Sequence, residues 1–195
     1  MLKLVTPPAE PVVSLAEAKS HLRVFHDDED AYIEALVSTA TGLIDGADGW
    51  LGRAIGEQEW QFNLDRFPCS DEYGHAGRIY IPLAPLKSVD SVEFTASDGT
   101  VTNLSGFRTF GVGSTQPAYI VPAVGNSWPS VVREPESVRI KFTAGYATVP
   151  PGIKHAILLM IGHWYEHCED VSEGNLVEVP LASQSLLMPH RNWRG

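Results

Sequence analysis

Val138-Arg139-Ile140-Lys141-Phe142 alternates apolar and polar side chains, whereas Ile153, Ala156, Ile157, Met160, Ile161 and Trp164, after Pro150-Pro151-Gly152, recur at helical intervals. The first pattern predicts a strand with one wet face. The second predicts an amphipathic helix from about Pro151 to Glu169. A period of 2 thus gives way to one of 3.6 within a few residues, and the same alternation of styles recurs along the chain.

Upstream lie further β-type runs bounded by Gly, Pro and Asp: Glu59 to Leu64, Arg78 to Ile81, Ser91 to Ala96, Tyr119 to Val121 and Ser137 to Thr143. Ser97-Asp98-Gly99-Thr100 is a hairpin signal. Before that block, Ile33, Leu36, Val37, Ala40, Leu43, Ile44, Ala47 and Leu51 form one helical stripe, with Gly49 and Gly52 as its stop. Ser14-Leu15-Ala16-Glu17 has capping-box spacing, so a short helix follows to about Leu22. The acidic Phe25-His26-Asp27-Asp28-Glu29-Asp30 segment reads as the cap of the next helix, not as a metal site. The expected architecture is α+β. A small helical core, residues 1–57 and 148–172, carries an inserted β-rich block, 58–147, and an extended C-terminal arm, 173–195.

The chain has 195 residues, 44% of them hydrophobic, with 14 Lys plus Arg against 24 Asp plus Glu and a net charge of −10. That apolar fraction suffices for a core and argues against disorder. The acidity repels phosphate backbones and removes the usual driving force for groove-tracking nucleic-acid binding. Cys69 and Cys168 are too few for a disulfide framework or a four-cysteine zinc cluster. The proline pair Pro7-Pro8 precedes any signal-like stretch, and the longest apolar run, Ala156 to Ile161, is far too short to span a bilayer, so a soluble, unexported protein with no membrane partner is expected.

The search for chemistry returns little. His163 and His167, at i and i+4, could share a metal, but Trp164 stands where a zincin glutamate would act as base. His155 lies roughly 80° further round the helix. Cys168 and His167, as sequence neighbours, do not face each other. Gly111-Val112-Gly113-Ser114 is neither a nucleophile elbow nor a dinucleotide fingerprint, and reads as a loop. No phosphate-cradling loop occurs. The expectation is a non-enzyme with no cofactor and no metal. Two alternatives remain open: a metal-dependent enzyme using His163 and His167, and a β-rich small-ligand or glycan-binding module. The second is weakened by the lack of an exposed aromatic cluster with fixed spacing.

Trp50, Trp60, Trp128 and Trp164 are core candidates. Trp193 differs, because with Arg191 and Arg194 it has the composition of an interface anchor. Leu181, Leu186, Leu187 and Met188 are apolar without a secure period, and Pro180 and Pro189 disfavour a continuous helix. Such a segment suits docking in a groove on a partner.

The order Ser14–Leu22, Asp27–Asp30, Ala31–Ile44, Ile81-Pro82-Leu83-Ala84-Pro85-Leu86-Lys87-Ser88-Val89, Phe142–Tyr146, Pro151–Ile157, His163–Glu166 and Ser185–Arg191 resembles the tailed-phage head–tail connector, or adaptor, family, in the long form also found in gene transfer agents. This resemblance spans nearly the whole chain. It implies a homo-oligomeric ring of about twelve copies between the capsid portal protein and the stopper, head-completion or tail proteins. DNA would pass through the lumen without sequence-specific binding, and the protein would reside in the neck of a virion or virion-like particle. It also implies a portal-binding role for Ser185, Leu186, Leu187, Met188, Pro189, His190 and Arg191. Trp193 and Arg194 lie beyond the match and join that set on composition. Glu166, Glu169, Asp170 and Glu173 are candidates for an acidic lumen wall. If the arm is independent, deleting 181–195 should leave the body folded and abolish portal binding.

Overall fold

Strand β8 (Val138–Ala144) is the centre of the larger sheet. The computed structural model describes residues 1–69, 77–166 and 181–192. In it the alternation is fulfilled: Val138, Ile140, Phe142 and Ala144 are fully buried, while Arg139, Lys141 and Thr143 face the wetter side. On one flank β2 (Gln58–Leu64) pairs with β8 in unbroken antiparallel register, from Gln58 opposite Ala144 to Leu64 opposite Val138. On the other, β4 (Leu86–Thr95) pairs with two irregularities, between Leu86 and Ser88 and between Val89 and Ser91. Strands β1 (Leu2–Thr6) and β5 (Val101–Asn103) complete the order β1-β2-β8-β4-β5. A second sheet has the order β3-β7-β6, from Ile79–Tyr80, Tyr119–Pro122 and Phe107–Phe110.

All five anticipated strands are present with shifted ends, and β1, β5 and β6 were not foreseen. They are short and largely exposed, so apolar alternation leaves no trace in them. The hairpin at 97–100 forms as expected. Gly99 takes a left-handed φ of 85°, and the Asp98 carboxylate accepts from both the backbone N–H and the hydroxyl of Thr100. Because β1 pairs with β2, residues 1–8 join the β unit with Glu57–Tyr146, and not the helical core expected of them.

The second unit comprises the described residues of Ala9–Gly56 and Ala147–Gly195. Helix α1 (Leu15–Leu22) starts on the anticipated capping box: the Ser14 hydroxyl accepts from the Glu17 N–H, and the Glu17 carboxylate accepts from the Ser14 N–H at 2.9 Å. Helix α2 (Asp30–Ile44) buries Ile33, Val37, Ala40 and Ile44. It stops a full two turns before the apolar stripe does. Asp45 leaves the helix in extended conformation and its carboxylate accepts from the Ile55 N–H at 2.7 Å, while Gly46 takes a φ of 82°. Leu51 is still buried, but from a turn.

The acidic segment acts differently from the expected cap. Glu29, the N-cap residue, makes no side-chain cap bond. Instead Lys19 of α1 reaches Asp27 at 2.7 Å and Asp30 at 2.6 Å, tying the two helices together. Helix α3 (Pro151–Glu166) buries Ile153, Ala156, Ile157, Met160 and Ile161, the predicted stripe; the expected end at Glu169 lies outside the described residues. Among the described residues no helix is long and apolar enough to cross a membrane.

Candidate functional site

The C-terminal segment is not an extended arm over its described part. Leu181–Leu187 is helix α4, and Met188–His190 continues as a 3-10 turn. Pro189 is tolerated because the first turn of a helix needs no N–H from it. Helix α4 packs on α3. Leu187 and Ser183 are fully buried, and the Ser183 hydroxyl donates to the Ala156 carbonyl at 3.3 Å. Downstream, the Arg53 Nε donates to the His190 carbonyl, and the Asn192 N–H donates to the Leu51 carbonyl at 2.9 Å. The Arg191 guanidinium lies 4.5 Å above the Trp50 ring. The segment therefore closes back on its own helical unit through apolar burial, main-chain bonds and a cation–π contact.

This geometry splits the predicted portal-binding set. Leu187 points inward and belongs to the core. Ser185, Met188 and Pro189 are exposed, while Leu186, His190 and Arg191 are half-buried. Trp193 and Arg194 lie outside the described residues. Burial and the adjacent Arg53 guanidinium hold the His190 imidazole below its ordinary pKa, since both disfavour its cation. The sequence missed Arg53, Leu51 and Trp50 as seats for the tail, because contacts spanning some 140 residues leave no local pattern.

Only one member of the histidine pair is among the described residues. His163 is exposed on the last turn of α3, and His167 lies outside the described residues, as do Cys168, Glu169, Asp170 and Glu173. Glu166 is exposed at the end of α3. His155 meets another histidine instead: its ring sits edge-to-face with that of His21 in α1, centroids 6.3 Å apart. Among the described residues no group of three or more His, Cys, Asp or Glu is placed to hold a metal ion. Of the described tryptophans only Trp60 is buried; Trp128 stacks on Phe67 at 4.8 Å and its indole N–H donates to the Gly77 carbonyl.

The β unit does carry an exposed aromatic cluster, contrary to expectation. Tyr80 of β3 and Phe110 of β6 flank Tyr119 of β7 on one face of the smaller sheet, with ring centroids 5.7 and 5.2 Å from that of Tyr119. Tyr80 pairs with Tyr119, and Tyr119 with Phe110, across the strands. Three residues from three strands converge only once the sheet is formed.

No family profile and no curated protein matches the chain. Solved structures do. A chain in the neck of an empty gene transfer agent (GTA) particle, computed with C6 symmetry, is similar with a TM-score of 0.71 and 23% identity, over 100% of this chain and 97% of that one. A chain in the virion of a native GTA particle gives 0.69 and 21%, and one in the neck of a native GTA particle computed with C12 symmetry gives 0.68 and 21%, both over the same shares. The chain has the α+β fold of a protein found in the necks of gene transfer agent particles.

Proposed function

We propose that this chain is a structural subunit of the neck of a tailed, virion-like particle. Copies form a ring between the capsid portal and the stopper or tail proteins, and DNA passes through the lumen without sequence-specific contact. The observation carrying this reading is the fold correspondence over the full chain to proteins of GTA necks. Necks computed with C6 and C12 symmetry suit a subunit repeated about an axis, which needs only a heterologous interface that closes. A net charge of −10 suits a channel past which a duplex slides without being gripped. The role is adhesive and not enzymatic, exercised in the assembled particle after synthesis in the host cytoplasm.

Portal contact falls to the C-terminal segment, where Ser185, Met188 and Pro189 are exposed and His190 and Arg191 are half-buried; Trp193 and Arg194, outside the described residues, join the set on composition. Leu186 lies at the edge of that contact, and Leu187 serves it indirectly by seating the helix. The test is electron microscopy of the purified chain mixed with its portal. An added annular layer is expected. A portal ring that stays bare, with no chain cosedimenting, would overturn the reading.

A further inference from the structure

The outer face of the three-stranded sheet has a chemistry of its own. Arg78 and Tyr80, Tyr119 and Val121, and Arg108 and Phe110 project to one side, because the strands bury the alternate positions Ile79, Ile120 and Pro122. Together they line a groove of about 770 Å³ with the exposed Val124 at its rim. The Arg78 guanidinium lies 4.8 Å from the centre of the Tyr119 ring, and that of Arg108 lies 5.6 Å from the Phe110 ring. A guanidinium laid over a ring keeps its N–H edge for a carboxylate. Among the described residues no Asp or Glu lines the groove.

We propose that this groove receives the Phe25–Glu29 loop of a second copy of the chain, as a head-to-tail contact of the ring. The inference rests on the neck reading. Aromatic rings with arginine, in a concave setting, are the composition of an interface centre. The chain's net charge of −10 makes a second copy the acidic partner that such a groove fits. Two identical grooves cannot face one another, since arginine would meet arginine. The contact is therefore heterologous, the kind that propagates around a circle.

The loop supplies the complement. Phe25 is 91% exposed, more than any other large apolar side chain among the described residues. Beside it the side chains of Asp27 and Asp28 are 89% and 94% exposed. Lys19 holds Asp27, which fixes the loop's shape before binding and lowers the ordering cost. Phe25 would enter the groove among Tyr80, Phe110 and Tyr119, and the carboxylates would meet Arg78 and Arg108.

Two full-length variants test this. Arg78→Ser with Arg108→Ser removes the receiving face, and Phe25→Ser with Asp28→Ser removes the inserted loop while leaving the Lys19 bridges intact. Circular dichroism confirms that both remain folded. By sedimentation velocity, each variant alone should self-associate about tenfold or more weakly than the parent chain. Mixed, they should form a two-chain species that grows no further, since each supplies what the other lacks. Parent-like association by either variant, a mixture without that species, or a parent chain that does not self-associate at all would overturn the proposal. Portal binding by the parent chain is read separately. Its loss with the two-chain species present would remove the neck reading and leave this contact standing; the converse would do the reverse.

Discussion

The Arg53 side chain donates its Nε to the main-chain carbonyl of His190, although the two residues are 137 positions apart in the chain. Arg53 is itself only 7% exposed, so this bond satisfies a buried charge as well as a turn at the C-terminal segment. The tail is thus part of what the helical unit is made of.

Truncation should therefore damage the body. Leu187→Ala is expected to cost about 2–5 kcal/mol, the usual range for emptying a fully buried leucine site. Deleting 181–195 should cost at least as much, because it also removes the His190 carbonyl that accepts from the Arg53 Nε. Urea denaturation followed by circular dichroism measures both. A deletion variant as stable as the intact chain would show that the packing of α4 on α3 contributes nothing.

The seat of the tail should respond to pH. The His190 imidazole is held below its ordinary value near 6.5, so between those two values the unfolded chain binds more protons than the folded one. Stability accordingly falls as pH drops below about 6.5 and levels off once the lowered folded pKa is passed. Hydrogen exchange across 181–192 should quicken in that window, and His190→Gln should flatten the response.

Helix α1 offers a cleaner titration. The backbone N–H of Ser14, and then Lys154 at 3.0 Å, keep the Glu17 carboxyl below its ordinary pKa of 4.5. That contribution is present above pH 4.5 and is lost as pH falls through the lowered value. At neutral pH, Ser14→Ala should cost about 0.5–2 kcal/mol. Thermal denaturation of Ser14→Ala and Glu17→Gln across pH 3 to 7 checks both statements; an unaltered midpoint in Ser14→Ala would rule out a working capping box.

Portal contact can be separated from stability by choosing outward positions. Met188 is 45% exposed, so Met188→Asp should leave the denaturation midpoint unchanged. It should nevertheless weaken binding to the portal about tenfold or more if Met188 lies at the centre of that contact. Cosedimentation with portal rings gives the readout, and full binding by Met188→Asp would move the contact elsewhere on the chain.

Local rules carried the reading of the sequence as far as local physics extends. The Ser14–Glu17 capping box, the α3 stripe from Ile153 to Ile161 and the alternation around Ile140 are decided within one or two turns of chain, and all appear in the structure. The stripe through Ala47 to Leu51 misled because Leu51 is buried by a turn, and burial alone does not specify helix. The tail was misread for the opposite reason. Seven residues, Leu181 to Leu187, are too few to show a period, and their helix is fixed by α3 and by Arg53, far away in sequence.

The candidate surfaces were less legible still. The resemblance singled out Ser185–Arg191, yet which of its side chains faces outward depends on how α4 is turned against α3. The Tyr80, Phe110 and Tyr119 cluster has no sequence signature, because its spacings of 30 and 9 residues acquire meaning only in the order β3-β7-β6. Lys19 carries no signal in the sequence, because its two bridges to Asp27 and Asp30 connect elements that no single-helix argument compares.

The strand order β1-β2-β8-β4-β5 puts the last-synthesised strand in the middle of the sheet. A ribosome therefore delivers two separate halves, β1 with β2 and β4 with β5, each exposing the edge that Val138–Ala144 will later occupy. Until residue 144 has left the exit tunnel, those edges are open to strands of neighbouring nascent chains, and the risk of mispairing on a crowded polysome is greatest then. The arrival of β8 seals both at once, which makes the emergence of Val138–Ala144, more than any earlier event, the moment at which this sheet is finished.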